Sequence, residues 1–272
     1  MMNLSEKQRQ NLIQREQRGL ERITDVTEMF KNPRKSYNWA AIVSSVGRTH
    51  EAFAVKHYFI DHDISSFKQH AYVYIIAELI ALNKGHGDDE LDTDLILLAL
   101  LSDSSAAIQG VGLAAPRFIR AGGNQPQSQY FWLHMYQLVM LDQMNEVAQR
   151  LEKAKTQVKK NQRKELSEGK DFFSLLLVGD KTGLEKLLLE KAQNDATSNP
   201  WLESLVCIRA TIEAKLCWLK GIEVQIDHPL VPMELLPIKP LDHYDDVYDF
   251  LSPDWVPPPQ NVFEKITKWI KG

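Results

Sequence analysis

The sequence predicts an all-α fold: a multi-helix bundle or helical-hairpin array, then a proline-rich irregular C-terminal strap and a short terminal helix. Three observations lead to this prediction. Apolar residues recur at helical spacing up to about residue 220. Residue types that begin and end helices bracket these periodic stretches. Prolines then crowd the tail, where they disfavour long helices.

Four helices are predicted in the first hundred residues. Asn32-Pro33 ends the first, because a proline disfavours helical backbone at the residue before it. Ser65 or Ser66 is the expected N-cap of the third, and the glycine turn at 84–87 stops it. The acidic residues 88–94 suit the positive N-terminus of the fourth. The predicted helices are Leu4–Phe30, Tyr37–Ile60, Phe67–Leu82 and an apolar helix that ends near Leu101.

The segment Ala121–Gln129, rich in Gly, Gln and Pro, is the best candidate for a linker. The chain is therefore interpreted as a single helical domain, 1–272, with halves 1–120 and 130–272 as the alternative division. Pro200 follows Ser198-Asn199, a typical helix start. Beyond the linker, helices are predicted at Tyr130–Leu141, Gln143–Lys159, Asp171–Val178, Thr182–Asn194 and Pro200–Leu219.

Two segments of the second half resemble each other. Leu151–Ala154 recurs as Leu189–Ala192, an offset of 38 positions that also aligns Asp142 with Asp180. Each segment has an apolar helix, a turn that begins with Asp and a second amphipathic helix. This is the size of a tetratricopeptide-like hairpin, and the sequence leaves a true repeat and a chance similarity both open.

The tail differs in composition from the helical part. Apolar residues alternate there with prolines, which suits an ordered strap that packs over the helices and ends in a short helix near Val262–Ile270. Between 226 and 260 the prolines are Pro229, Pro232, Pro237, Pro240, Pro253, Pro257, Pro258 and Pro259.

Charge and composition exclude several classes of protein. A net charge of -4 argues against the broad basic surface of a nucleic-acid-binding protein, and the basic run 153–170 is interpreted as a solvated helix end. Cys207 and Cys217 are interpreted as buried thiols of a reducing compartment. The N-terminus lacks a signal peptide's apolar core, and the longest apolar run, Leu95–Leu101, is too short to span a membrane. We expect a cytoplasmic protein with no direct contact to membrane or nucleic acid.

Motifs that would indicate an enzyme are weak. Gly110-x-Gly112-x-x-Ala115 follows a helix instead of a strand, which favours close helix packing over a dinucleotide site. Residues 179–183 lack the spacing of a phosphate-binding loop and are interpreted as a turn with a helix cap. Four histidines without a recognised metal pattern are His50, His57, His62 and His70. The sequence therefore predicts no catalytic residues, no metal and no cofactor.

The sharpest feature is residues 241–255, named the acidic segment below. It holds five aspartates and no Lys or Arg, interleaved with aromatic residues. Such a surface suits a basic cleft, because charge steers the encounter while aromatic rings supply buried area. Alternatively, the aromatic residues pin the strap to the helices, and the two roles are compatible. The residues predicted to bind such a basic partner are Asp242, Tyr244, Asp245, Asp246, Tyr248, Asp249 and Asp254.

Three sets of residues between about 130 and 236 carry a family resemblance: Phe131–Val139 with Asp142, Phe172–Val178 with Asp180, and Gly221–Val224 followed by Pro229–Leu236. In these segments the chain resembles the immunity protein 49 family of bacterial polymorphic toxin systems. The resemblance implies a helical antitoxin encoded beside a toxin that contact-dependent or type VI secretion delivers in interbacterial competition. The immunity protein would bind that toxin in the cytoplasm and occlude its active site. The family brings no catalytic residues and no mapped contact motif.

The predicted partner is therefore a cognate toxin domain, with a basic cleft if it is a nuclease or attacks nucleotides. The alternative is a helical-repeat adaptor that binds a peptide or protein. A third reading is an enzyme with an unrecognised metal site at His50 and His57. The sequence leaves the toxin's identity and the oligomeric state open.

Overall fold

A computed structural model describes residues 4–31, 37–83, 85, 91–158, 160–194, 205–252 and 255. Within these ranges the chain is helical or irregular and contains no strand, which confirms the all-α prediction. The predicted terminal helix at 262–270, the Asn32-Pro33 stop and Asp254 lie outside the described residues. Among the described helices, none is both long and apolar enough to cross a membrane.

Most predicted helices are present within a few residues of their expected bounds. The second continues beyond its α-helical part as one π-helical stretch, His57–Asp61. The observed helices are α1 Glu6–Lys31, α2 Trp39–Lys56, α3 Ile64–Asn83, α4 Thr93–Ser102, α5 Ser105–Leu113, α6 Arg117–Gly122, α7 Gln129–Met140, α8 Met144–Gln157, α9 Lys160–Glu168, α10 Phe172–Val178, α11 Lys181–Asn194 and α12 Ile208–Leu219.

The chain divides into two compact units. The N-terminal unit consists of residues 4–88 together with 241–272, and the central unit of 89–240 together with 1–3. The division therefore falls near 88 and 240. The candidate linker 121–129 instead lies within the central unit, where α6 ends at Gly122 and hydrogen-bonded turns lead to α7.

In the N-terminal unit, α2 packs against both α1 and α3. The approach of α2 to α3 is close at Gly47, where an added Cβ would lie 3.1 Å from Cβ of Ala77. A buried apolar cluster joins the three helices to the end of the acidic segment, which contributes Phe250 and Leu251. The helical members of this cluster are Val26, Val43, Val46, Val73 and Ala77.

The start of α3 corrects one predicted cap. The Asp63 carboxylate accepts hydrogen bonds from the Ser66 backbone N–H at 3.0 Å and from its hydroxyl at 2.7 Å. These bonds hold the pKa of Asp63 below its usual range, because they stabilise the carboxylate. The N-cap side chain is therefore Asp63, and the prediction of Ser65 or Ser66 was wrong. The helix begins three residues earlier than expected.

In the central unit, two helical hairpins follow each other: α7 packs on α8, α8 on α10, and α10 on α11. The turns differ in detail, since Asp142 itself adopts φ 59° whereas Gly179 adopts φ 69° beside Asp180. Asp180 caps α11 by accepting a hydrogen bond from the Gly183 N–H at 3.0 Å, as predicted. The close packing predicted for Gly112 is also confirmed, because its added Cβ would lie 2.8 Å from Leu141.

The helix expected from Pro200 begins later. Residues 205–207 are described and not helical, so α12 starts at Ile208. The N–H of Cys207 instead donates to the Leu230 carbonyl at 2.8 Å, which ties the start of α12 to the strap. Cys207 and Cys217 are buried thiols, as predicted.

Candidate protein-binding site

The acidic segment lies in the N-terminal unit, along α3 and the second half of α1. Its backbone is irregular up to a single 3-10 turn, Asp249–Leu251. Because Phe250 and Leu251 are buried in the apolar cluster, the end of the segment is anchored by ordinary hydrophobic packing. Trp255 packs edge-on against Trp39, with ring centroids 6.0 Å apart.

The two tyrosines of the segment face the helices. The Tyr244 ring lies 5.1 Å from the Tyr72 ring, and its hydroxyl accepts a hydrogen bond from the Leu241 N–H at 3.1 Å. The Tyr248 hydroxyl lies 2.8 Å from Nε2 of His50, and its ring stacks on Phe250 at 4.8 Å. Burial raises the pKa of Tyr248 to about 12. Both tyrosines therefore act as anchors, which is the structural role the sequence left open for them.

A side-chain clamp holds the backbone between those anchors. The Gln69 amide donates to the Asp245 carbonyl at 2.7 Å and accepts from the Asp245 N–H at 3.0 Å. The Tyr72 hydroxyl donates to Oδ1 of Asp246 at 2.6 Å. Burial and this bond to Asp246 raise the pKa of Tyr72. These hydrogen bonds hold the backbone of the acidic segment against α3 in the unbound protein.

The aspartates of the segment reach solvent. Asp242, Asp245, Asp246 and Asp249 are all exposed. Each carboxylate has several acceptor sites, so the bond to Tyr72 leaves Asp246 free capacity to accept more. The structure therefore brings four predicted carboxylates to one exposed stretch, while the predicted tyrosines lie beneath it.

Val247 stands between these aspartates in an uncommon conformation. Its φ is 59°, in the left-handed region that β-branched residues rarely adopt, and its N–H donates to Oδ1 of Asp245 at 3.2 Å. The side chain is 53% exposed, so packing of the Val247 side chain does not explain the conformation. Strain of this kind persists where neighbouring contacts hold the backbone, and it concentrates at functional sites.

A groove opens beside Val247, between α1 and the acidic segment. Its volume is about 310 Å³. Apolar side chains form most of its walls, while Asp249 adds a carboxylate at one side. Among the lining residues are Ile23, Val26 and Thr27 of α1, Val46 of α2, and Val247 and Asp249 of the segment. No sequence pattern predicted this groove, because the residues of its walls are far apart along the chain.

Three of the four histidines meet beneath the segment. Nδ1 of His50 lies 2.9 Å from Nδ1 of His70, and the His70 ring stacks on His57 at 5.1 Å. His57 in turn lies 2.8 Å from an Asp61 oxygen. Both ring nitrogens of His50 therefore have partners: one of the facing Nδ1 atoms donates to the other, and Nε2 bonds to Tyr248.

Burial keeps the inner histidines neutral. It lowers the pKa of His50 to about 3, with a smaller effect from His70. It lowers the pKa of His70 to about 4, with a smaller effect from His57. Within the described ranges no group of three or more His, Cys, Asp or Glu side chains has the arrangement of a metal site. The cluster has the geometry of a structural support for Tyr248.

The central unit contains a buried ion pair that sequence reasoning missed. Nζ of Lys215 lies 2.6 Å from Oδ1 of Asp103, and both side chains are almost fully buried. Lys215 also donates to the Leu235 and Leu236 carbonyls at 2.7 and 3.0 Å. The pair thereby fastens the first part of the strap to α12 and the end of α4. The sequence signal for this ion pair was Lys215, a lysine within the largely apolar stretch 208–219.

The search for related proteins found no match. No protein-family model, no curated protein and no solved structure matches this chain.

Proposed function

We propose that this chain is an immunity protein that binds a cognate bacterial toxin in the cytoplasm and occludes its active site with the acidic segment. One observation supports the proposal above all: four exposed aspartates stand on a backbone that Gln69, Tyr72 and His50 hold in place. The resemblance of residues 130–236 to the immunity protein 49 family points to the same class of function.

The chemistry of the segment suits a basic cleft. Residues 241–255 contain no Lys or Arg, so their field is negative along the whole exposed stretch. Opposite charge accelerates encounter with a cationic active site and disfavours wrong partners. Because the backbone is already ordered, binding loses little conformational entropy there. A nuclease or a nucleotide-targeting toxin fits, since its substrates are anionic.

Co-expression with the toxin encoded by the neighbouring gene tests the proposal. The test variant carries Asp242→Asn, Asp245→Asn, Asp246→Asn and Asp249→Asn. Asparagine keeps an oxygen for the bonds from Val247 and Tyr72, so the fold is retained while the charge is lost. We expect wild type to protect the host, and the variant to lose protection and bind the purified toxin domain at least about tenfold more weakly.

The matched control neutralises four exposed carboxylates of the central unit instead. It carries Glu190→Gln, Glu223→Gln, Asp227→Asn and Glu234→Gln, which change the net charge by the same amount. Protection by this control should equal that of wild type. Full protection by the acidic-segment variant would contradict the proposed contact surface, and the absence of a toxin gene beside this one would contradict the proposed function.

A helical-repeat adaptor is the second candidate. The observation that favours it is the succession of the α7–α8 and α10–α11 hairpins, which have the 38-residue spacing seen in the sequence. Such a protein would bind through its hairpins. Cross-links from a captured partner would then map to α7–α11 and not to the acidic segment.

A further inference from the structure

The proposed function assigns no role to the groove between α1 and the acidic segment, although its size and its apolar walls suit part of a partner protein. Its 310 Å³ is at the lower end of the range of about 300–1,000 Å³ found for ligand sites. It is therefore large enough for one or two side chains of a partner. Its apolar walls disfavour a highly polar occupant.

Two exposed apolar residues lie on the same side of α1 as the groove-lining Thr27. Leu20 is 56% exposed and Ile13 is 45% exposed, and they lie seven residues apart, on one face of the helix. Ile13 and Thr27 are fourteen helical steps apart, or about 21 Å at 1.5 Å per residue. That length exceeds a small ligand and suits a segment of polypeptide.

The acidic segment contributes the carboxylates beside the groove. Asp249 lines it, and Asp245 and Asp246 lie nearby on the same exposed stretch. On α1, the exposed Glu21, Asp25 and Glu28 lie on the side of the helix that faces away from the groove, and Arg22 is a cation of the same stretch. The Arg22 guanidinium donates to the Ser45 hydroxyl at 2.7 Å, towards α2. An anionic lipid surface or nucleic acid would therefore be repelled, and a cationic segment attracted.

We propose that this groove receives a large apolar side chain from a segment of the toxin in which Lys or Arg flanks that side chain. The inference rests on the proposed function and names the chemistry of the partner segment. The apolar side chain fills the groove beside Val247, and the flanking cations meet Asp249 and the neighbouring carboxylates of the acidic segment. A buried apolar anchor inside a charged rim is the usual arrangement of an interface hot spot.

Two threonines of α1 provide a matched test. Thr27 lines the groove, and its hydroxyl donates to the Ile23 carbonyl at 2.8 Å. Thr24 is equally exposed and makes the same bond to Leu20 at 3.0 Å, but it is not among the lining residues. Thr27→Trp fills the groove, whereas Thr24→Trp adds the same ring outside it.

Affinity for the purified toxin domain is measured with the full-length chain by calorimetry. We expect Thr27→Trp to weaken binding at least about thirtyfold, as loss of a hot spot does, and Thr24→Trp to change it less than about twofold. Thermal melting checks that both variants are folded. Equal binding by wild type and Thr27→Trp would overturn the groove as the anchor site and leave the proposed function standing.

A second arm needs no toxin. The probe is a labelled hexapeptide, Lys-Lys-Leu-Phe-Lys-Lys, with its Glu-Glu-Leu-Phe-Glu-Glu counterpart as control, each at millimolar concentration. Wild type should bind the lysine peptide, and Thr27→Trp should lose that binding. Peptide binding by a chain that does not bind the toxin would contradict the proposed function and support the groove chemistry. Failure of wild type to prefer the lysine peptide would overturn the inference.

Two other occupants would also overturn it. The chain's own residues 263–271 carry Lys265, Lys268 and Lys271 beside aromatic residues. If the full-length chain binds the peptide only after these lysines are changed to Glu, its own C-terminal segment occupies the groove. A dimer in sedimentation that Thr27→Trp dissociates and Thr24→Trp does not would show that a second copy occupies it.

Discussion

The Tyr248 hydroxyl lies 2.8 Å from Nε2 of His50, a ring that is only 2% exposed and belongs to α2. This bond joins residues 198 positions apart and is one of the polar anchors of the acidic segment. Above it stand exposed aspartates, and below it lie the partnered histidines. A single contact thus connects the surface proposed to bind a partner with the interior of the N-terminal unit.

Removing that hydroxyl should destabilise the protein. Tyr248→Phe leaves Nε2 of His50 without its partner in a buried position, and an unsatisfied buried group costs about 1–3 kcal/mol. Urea unfolding should show the loss. Tyr244→Phe is the control, because the Leu241 N–H that its hydroxyl serves is only partly buried and can reach water. An equal effect of the two changes would show that the His50 contact has no special role.

The histidine cluster predicts a pH dependence of stability. An unfolded histidine binds a proton near pH 6.5, whereas His50 and His70 in the folded protein do so only near pH 3 and 4. Between these values the unfolded state holds more protons, so stability is complete above pH 6.5 and falls as the pH is lowered. When the protein unfolds at pH 5, His50 and His70 together should take up close to two protons.

Replacing His50 and His70 tests whether these two residues cause the pH dependence of stability. The double variant His50→Gln and His70→Gln should flatten the fall in unfolding free energy between pH 6.5 and 4.5. His62→Asn should keep it, because His62 lies outside the bonded cluster and asparagine tolerates its φ of 55°. An unchanged slope in the double variant would show that His50 and His70 are not the source of the pH dependence.

Breaking the buried Lys215–Asp103 ion pair in the central unit should lower the free energy of unfolding strongly. Lys215→Met leaves the Asp103 carboxylate buried without its cation, which typically costs about 3–5 kcal/mol. Adding Asp103→Asn should recover most of that loss, since asparagine removes the charge and tolerates the φ of 57° at this position. Urea unfolding measures both variants. Lys220→Met, which breaks the exposed pair with Asp142, should have a much smaller effect. No recovery in the double variant would contradict this explanation.

Relieving the strain at Val247 should stabilise the fold. Val247→Asn places a residue that tolerates the left-handed region at φ 59°, with an expected gain of about 1 kcal/mol. Val178→Asn is the matched control, because Val178 is also exposed but has helical backbone in α10. There the same change should lower stability slightly. If Val247→Asn also lowers the free energy of unfolding, the strain argument is wrong.

Local patterns account for the elements that were predicted correctly. The apolar spacing of α1, α2 and α4 and the cap at Asp180 depend on residues three or four positions apart. Such neighbours interact in any helix, whatever the rest of the chain does. The missed features depend on competition between nearby candidates. Asp63 rather than Ser65 or Ser66 caps α3, and α12 begins eight residues after Pro200.

The sequence alone determined that this protein is helical and that an aspartate-rich, aromatic segment follows the last central helix. It could not decide which side of that segment faces water. The tertiary structure decided this by placing His50, Gln69 and Tyr72 where the tyrosines and the backbone bind them, so that the aspartates remain exposed. It also placed Thr27 of α1 beside Val247 to form the groove. Contacts between residues more than 170 positions apart have no periodicity along the chain, so only the folded chain reveals them.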